Sequence, residues 1–142
     1  MAGMKRIKYI SRFAKDLGRE DIDALIARSA EKNATLEITG FLMTSGQLFM
    51  QVIEGPDAHV DDLFKNIAQD GRHQDILILE YETDVRERYF PDWSMKKFDL
   101  DADTDKRLAA ARKTLAEINR KRREVDILTL RLERAILEEL TS

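Results

Sequence analysis

Phe49-Met50-Gln51-Val52-Ile53-Glu54-Gly55 reads as a strand that carries one uncharged amide among apolar neighbours. Leaving a buried carboxamide unpaired costs roughly 1–3 kcal/mol, so Gln51 needs a specific partner, either in the protein or on a ligand. A lone glutamine in a strand more often finds that partner within the protein. Working outward, residues 38–43 form a second apolar run, joined to residues 48–55 by Thr44-Ser45-Gly46-Gln47, and the pair predicts a β-hairpin.

Upstream, Ile7, Tyr9 and Ser11 alternate with Arg6, Lys8 and Ile10, which predicts a strand whose Ile7 and Tyr9 face points inward. From about residue 19 to residue 32, Ile22, Leu25, Ile26 and Ser29 recur at helical spacing, with Asp21 and Asp23 suited to a positive helix start. Val60, Leu63, Phe64 and Ile67 mark a second helix beginning after Pro56-Asp57. Residues 76–81 supply a fourth strand and the Trp93 region a fifth. The order β-α-β-β-α-β plus a fifth strand predicts an α+β sandwich of ferredoxin-like type, with both helices on one face of a mixed sheet. Two helices lying side by side on a sheet leave a slot that a flat ring can fill. Leu25, Ser29 and Asn33, four residues apart, line one side of it.

Four places in that frame share a further pattern. Tyr9 sits in Lys5-Arg6-Ile7-Lys8-Tyr9-Ile10-Ser11, Asn33 closes a helix before Ile38-Thr39-Gly40, Gln51 lies in the quoted strand, and Trp93-Ser94-Met95 follows Arg88-Tyr89-Phe90-Pro91-Asp92. Over about residues 4 to 98 the chain resembles the BLUF family, blue-light sensors that hold FAD. The resemblance implies FAD bound non-covalently. It implies a first-strand tyrosine bonded to a third-strand glutamine that touches the flavin, and a Trp-Ser-Met element on the last strand that senses the glutamine. Tyr9, Gln51, Trp93 and Met95 occupy those positions.

By the same resemblance, Leu25, Ser29, Lys32 and Asn33 face the cofactor, Asn33 on its pyrimidine edge, and Ile67 covers the opposite ring face. Asp70, Arg72 and His73 match a polar cluster that contacts a flavin carbonyl and the ribityl or phosphate region. Without the resemblance, Asn33 reads as a helix cap and Asp70-Gly71 as a polar turn. One departure stands out: Glu37 occupies a position where relatives commonly have glycine, so a different turn geometry is expected there, because glutamate tolerates positive φ poorly.

Composition sets limits on these readings. At 142 residues and net charge −3, the chain is long enough for one domain and one accessory element, and no strong field draws it to nucleic acid. The absence of cysteine excludes disulfides and thiolate chemistry and fits a cytoplasmic location. Apolar runs fall far short of the roughly 20 residues needed to cross a bilayer, and no membrane association is expected. His59 and His73 are the only histidines, and no metal site, phosphate loop or nucleophile elbow is found. A hydrolase of acylphosphatase type would share the broad fold and use Arg12 and Asn33, yet it leaves Gln51 and Trp93-Ser94-Met95 without a role. A non-sensory flavin-binding protein is the other alternative.

The expected organisation is a flavin-binding photosensory domain over residues 1–100 and a helical extension over residues 101–142. The domain is not expected to be an enzyme by itself. Residues 102–140 contain no Gly or Pro, and Leu108, Ala111, Leu115, Ile118, Val125, Leu132 and Ile136 form a near-heptad series broken by Arg122 and Thr129. Such a helix either self-associates, giving a homodimer or higher homo-oligomer, or packs on the exposed sheet face. The run Arg120-Lys121-Arg122-Arg123 reads as a solvated face or as a dock for an acidic partner. A downstream protein partner is expected to read the signal.

Overall fold

β1 (Met4–Phe13) builds the domain from its centre: Ile7, Tyr9 and Phe13 turn to one face and are buried, and Arg6 and Ile10 are buried on the other. The computed structural model describes residues 3–14, 17–101 and 108–141. After β1 come α1 (Arg19–Thr35), β2 (Thr39–Ser45), β3 (Leu48–Pro56), α2 (Asp57–Gln69), β4 (His73–Val85), β5 (Lys96–Asp99) and α3 (Ala109–Thr141). The sheet order is β4-β1-β3-β2-β5. β1 runs antiparallel to β3 and β4, β3 antiparallel to β2, and β5 parallel to β2. This is the expected ferredoxin-like sandwich with a fifth strand, and the sheet is mixed.

Ile22 and Leu25 from α1 and Val60 from α2 join Ile7, Tyr9, Phe13, Phe49 and Ile53 in one apolar cluster. Each such side chain contributes about 1.5–3 kcal/mol on burial, which fixes the helices to the Tyr9 face of the sheet. The start of α1 is capped as its acidic first turn suggests, with the Gly18 N–H donating to Asp21 Oδ2 at 3.0 Å.

The hairpin is tighter than expected. Ser45 pairs with Leu48, leaving Gly46-Gln47 as a two-residue loop, with Gly46 at φ 58°. β4 is longer than residues 76–81, because the acidic side chains that obscure its pattern lie on an exposed edge strand. Its pairing with β1 has three register shifts, and Asp75 and Asp84 have φ 54° and 55°.

Two expectations are corrected. Trp93-Ser94-Met95 is not on the last strand but in the loop that enters it: Pro91 offers no N–H, Pro91-Asp92 makes a turn, and pairing with β2 begins at Lys96 opposite Phe41. The turn at Glu37 does keep the left-handed backbone, at φ 58°. Arg88 holds it there, donating to Glu37 O at 2.7 Å, Thr39 Oγ1 at 2.8 Å and Glu54 O at 3.3 Å.

By contacts the chain falls into two compact units, residues 1–103 and 104–142. In the second unit α3 is a continuous 33-residue helix, exposing Val125, Leu128, Leu132, Ile136 and Leu140 along one stripe. Residues 102–107, at the start of the expected helical segment, lie outside the described residues. No described helix is long and apolar enough to cross a membrane.

Candidate functional site

Tyr9 and Gln51 are direct partners in the β1–β3 ladder, so the pleat turns both side chains to the helix-covered face. The Tyr9 hydroxyl donates to Gln51 Oε1, and Gln51 Nε2 donates to Met95 Sδ at 3.3 Å. Tyr9 is fully buried, its ring packed edge-on against Phe49 and Phe64. That burial pushes its hydroxyl well above the ordinary tyrosine value, so the phenol is protonated at neutral pH.

Two members of this hydrogen-bonded chain, Gln51 and Met95, line an apolar cleft between α1 and α2, and Tyr9 is linked to it through its bond to Gln51. Leu25, Ile26, Ser29 and Asn33 line one wall and Leu63 and Ile67 the other, with Phe13, Leu42, His73 and Met95 completing it. Ser29 is held by its own helix, its hydroxyl donating to Leu25 O at 2.9 Å. Toward solvent the cleft widens and takes in Arg28, Lys32, Asn66, Asp70 and Arg72.

Asn33 is the anomaly of the site. It is 1 % exposed, yet neither its side-chain oxygen nor its nitrogen has a partner. His73 Nδ1 is likewise buried and unpaired, beside the rings of Phe13 and Phe49. Buried polar groups without partners are rare, and these face an apolar slot. A flat heterocycle with alternating N–H and C=O groups along one edge and an apolar opposite end fits such a lining: the carboxamide supplies one acceptor and two donor hydrogens to the edge.

At the mouth, Arg72 Nε lies 3.0 Å from both Asp70 oxygens and its terminal nitrogen 2.6 Å from Oδ2. The Arg72 guanidinium holds the Asp70 carboxyl down at about 2. Burial, the larger cause, keeps the His73 imidazole below its usual value.

The sequence-selected residues therefore separate into groups. Leu25, Ser29, Asn33, Gln51, Ile67, His73 and Met95 converge on the cleft, while Lys32, Asp70 and Arg72 stand at its mouth. Trp93 is not among the lining residues. Its ring stacks on Phe90, with centroids 5.5 Å apart, and meets Phe98 edge-on. The aliphatic contributors Ile26, Leu42 and Leu63 carry no signal in the sequence beyond core periodicity, and that of Arg28 is its place four residues before Lys32.

The model of the family described as sensors of blue light using FAD matches residues 4–96. The chain belongs to the BLUF family. Among curated BLUF relatives, the photoactivated adenylate cyclase subunit beta of Euglena longa is 33% identical over 90 residues, 63% of this chain and 10% of the relative. The blue light- and temperature-regulated antirepressor of Escherichia coli K12 is 31% identical over 94 residues, 65% of this chain and 23% of that protein. The chain thus spans about a tenth of the cyclase subunits it matches.

Among solved BLUF structures, a bacterial light-regulated adenylyl cyclase superposes with TM-score 0.80 at 35% identity, covering 87% of this chain and 36% of that one. The dark-state structure of the BLUF protein BlrB gives TM-score 0.66 at 32% identity, over 82% of this chain and 98% of BlrB. This chain is a blue-light sensor module of the BLUF family, and neither alternative, hydrolase or non-sensory flavoprotein, finds support in these likenesses.

Proposed function

We propose that this chain binds FAD non-covalently in the α1–α2 cleft and switches through Tyr9, Gln51 and Met95. The observation that carries the proposal is the buried Asn33 amide, unpaired at both ends in a slot that Gln51 and Met95 also line, with Tyr9 bonded to Gln51. Asn33 would hold the pyrimidine edge and Ile67 with Leu25 the ring faces. Arg28, Lys32 and Arg72 would face the ribityl and diphosphate part. Arg12 is not among the cleft's lining residues and stands 4.0 Å from Asp75, which gives the hydrolase reading no geometry.

When bound, the flavin supplies light absorption and, once excited, an electron-accepting ring. Tyr9 is the donor. In the dark its phenol keeps its proton; on losing an electron it becomes strongly acidic, and its proton passes along the existing hydrogen bond to Gln51 Oε1. Gln51 is then free to turn or tautomerise, giving up its bond to Met95 Sδ. With electron and proton back on Tyr9, Gln51 would be left rearranged. So placed, its amide would offer the ring's carbonyl edge a stronger hydrogen bond, the change that would give a red-shifted state decaying in darkness.

The signal leaves through the Met95 loop and α3. The exposed stripe Val125, Leu128, Leu132, Ile136 and Leu140 suits a homodimer, and a downstream protein partner reads the change. An absorption spectrum taken before and after blue light tests the whole proposal: a flavin spectrum with a small, dark-reversible red shift is expected. A colourless protein that takes up no added FAD overturns it.

A further inference from the structure

Gln51 is not the only polar residue β3 contributes to the Trp93 region. Three positions on, and therefore on the opposite face of the sheet, Glu54 is fully buried beside its ladder partner Arg6. Arg6 Nε donates to Glu54 Oε2 at 2.8 Å, one terminal nitrogen donates to Glu82 Oε2 at 2.6 Å and the other to Glu87 O at 2.7 Å. The two carboxylate oxygens of Glu54 also take the backbone N–H groups of Tyr89, at 3.1 Å, and Phe90, at 2.7 Å. The Tyr89 ring lies over the guanidinium, 3.6 Å from its carbon.

What this cluster grips is the segment from Glu87 to Phe90, immediately ahead of Trp93-Ser94-Met95. Phe90, tied to Glu54 by its amide, stacks its ring on Trp93, and the Trp93 carbonyl accepts from the Gly40 N–H at 2.8 Å. The loop is therefore fastened at one end on one face of β3, while Met95 meets Gln51 on the other. Two points on one rigid strand hold the two ends of a short loop. A buried ion pair of this kind is a poor source of stability compared with an apolar pair, and fixing one arrangement is its better attested use.

We propose that the Arg6–Glu54 pair is a positioning anchor for the Trp93–Met95 loop, setting how firmly Met95 rests on Gln51 and hence how quickly the light-adapted arrangement relaxes. The inference rests on the switching role proposed for Gln51 in its kinetic arm only. Loss of the anchor should leave Tyr9, its bond to Gln51 and the α1 and α2 walls of the cleft in place.

The test replaces both charges together, Arg6→Met with Glu54→Leu, so that no unpaired buried charge remains, and adds Tyr89→Ala as a milder second variant that removes the ring over the guanidinium and keeps the backbone N–H that Glu54 accepts. Trp93 is the single tryptophan of the chain, so acrylamide quenching of its fluorescence reports the loop directly, with or without flavin. Circular dichroism confirms folding. The expected result is stronger Trp93 quenching in both variants, and in flavin-loaded protein an unchanged size of red shift with dark recovery altered on the order of tenfold in the double variant. Should the double variant not fold, Tyr89→Ala decides alone, with the same direction and a smaller effect. Folded variants with Trp93 quenching and dark recovery both equal to the parent overturn the proposal. Altered quenching in a protein that takes up no flavin supports the anchor while rejecting the flavin reading.

Discussion

The Tyr9 hydroxyl donates to the side-chain oxygen of Gln51, its cross-strand partner, and that leaves the Gln51 nitrogen to donate to Met95. The amide is thus satisfied at both ends by protein groups, and any change at Tyr9 reaches Met95 through a single rotatable side chain. Tyr9→Phe and Gln51→Leu should each retain flavin, because most apolar contacts of the cleft survive, while abolishing the red-shifted state. A normal reversible shift in Tyr9→Phe would remove Tyr9 as donor.

Asn33 predicts two effects of opposite sign. An unpaired buried amide costs about 1–3 kcal/mol, so Asn33→Ala should raise the stability of flavin-free protein in urea, even after the loss of some packing. It should weaken flavin retention by roughly tenfold or more, since the loaded protein loses a satisfied amide. Arg72→Ala should weaken retention less, its side chain being half exposed and already engaged by Asp70. Equilibrium denaturation and flavin titration on the two variants check both signs.

His73 gives a pH dependence. Burial lowers its folded pKa below the ordinary 6.5, so its neutral form is favoured by folding. The contribution is complete above the unfolded value and is lost as pH falls from about 6.5 toward the folded pKa, where the unfolded chain takes up a proton that the folded chain refuses. Comparing urea midpoints at about pH 7.5 and pH 5.5 should show a smaller loss in His73→Gln than in the parent. Equal losses would assign the slope to other groups.

Glu37 adopts φ 58° under the hold of Arg88. A left-handed backbone costs a non-glycine residue about 1–2 kcal/mol, and glycine's extra freedom in the unfolded chain offsets part of the relief. Glu37→Gly should therefore raise the melting temperature slightly, whereas Glu37→Val should lower it. Arg88→Ala should destabilise the parent more than it does Glu37→Gly, a coupling that a double-mutant cycle measures.

Removal of residues 104–142, the second compact unit, should leave the photocycle intact and reduce the molecular mass to that of a monomer in light scattering. The stripe from Val125 to Leu140 buries enough apolar surface on self-association to compete with association costs. Identical oligomeric states in full-length and truncated protein would exclude α3 as the dimer contact.

Fold and cleft were largely legible because their determinants are local. The alternation of Ile7, Tyr9 and Ser11, the helical recurrence of Ile22, Leu25 and Ser29, and the glycine-bearing hairpin each declare an element within a few residues. Other features depend on pairing across the sheet. That Arg6 faces Glu54 is a fact of register, 48 residues apart in sequence, and two charged residues at alternating positions read as solvated surface until the strands are aligned. The position of Trp93 before rather than on β5 followed from Pro91, whose effect on pairing depends on which neighbour the strand meets. The backbone of Glu37 is not legible locally because a side chain 51 residues away holds it.

β4 forms one edge of the sheet and leaves Leu77, Ile78, Leu79 and Tyr81 substantially exposed. An even, apolar edge of that length invites another strand to add to it and is a route to aggregation. Here the left-handed residues Asp75 and Asp84 bracket the apolar stretch, three register shifts break its repeat, and Glu80 and Glu82 set charge along it. An incoming strand would find no stretch in step with its own backbone for more than a few residues. The irregularities of β4 are thus of the kind that interrupts strand addition along an apolar rim.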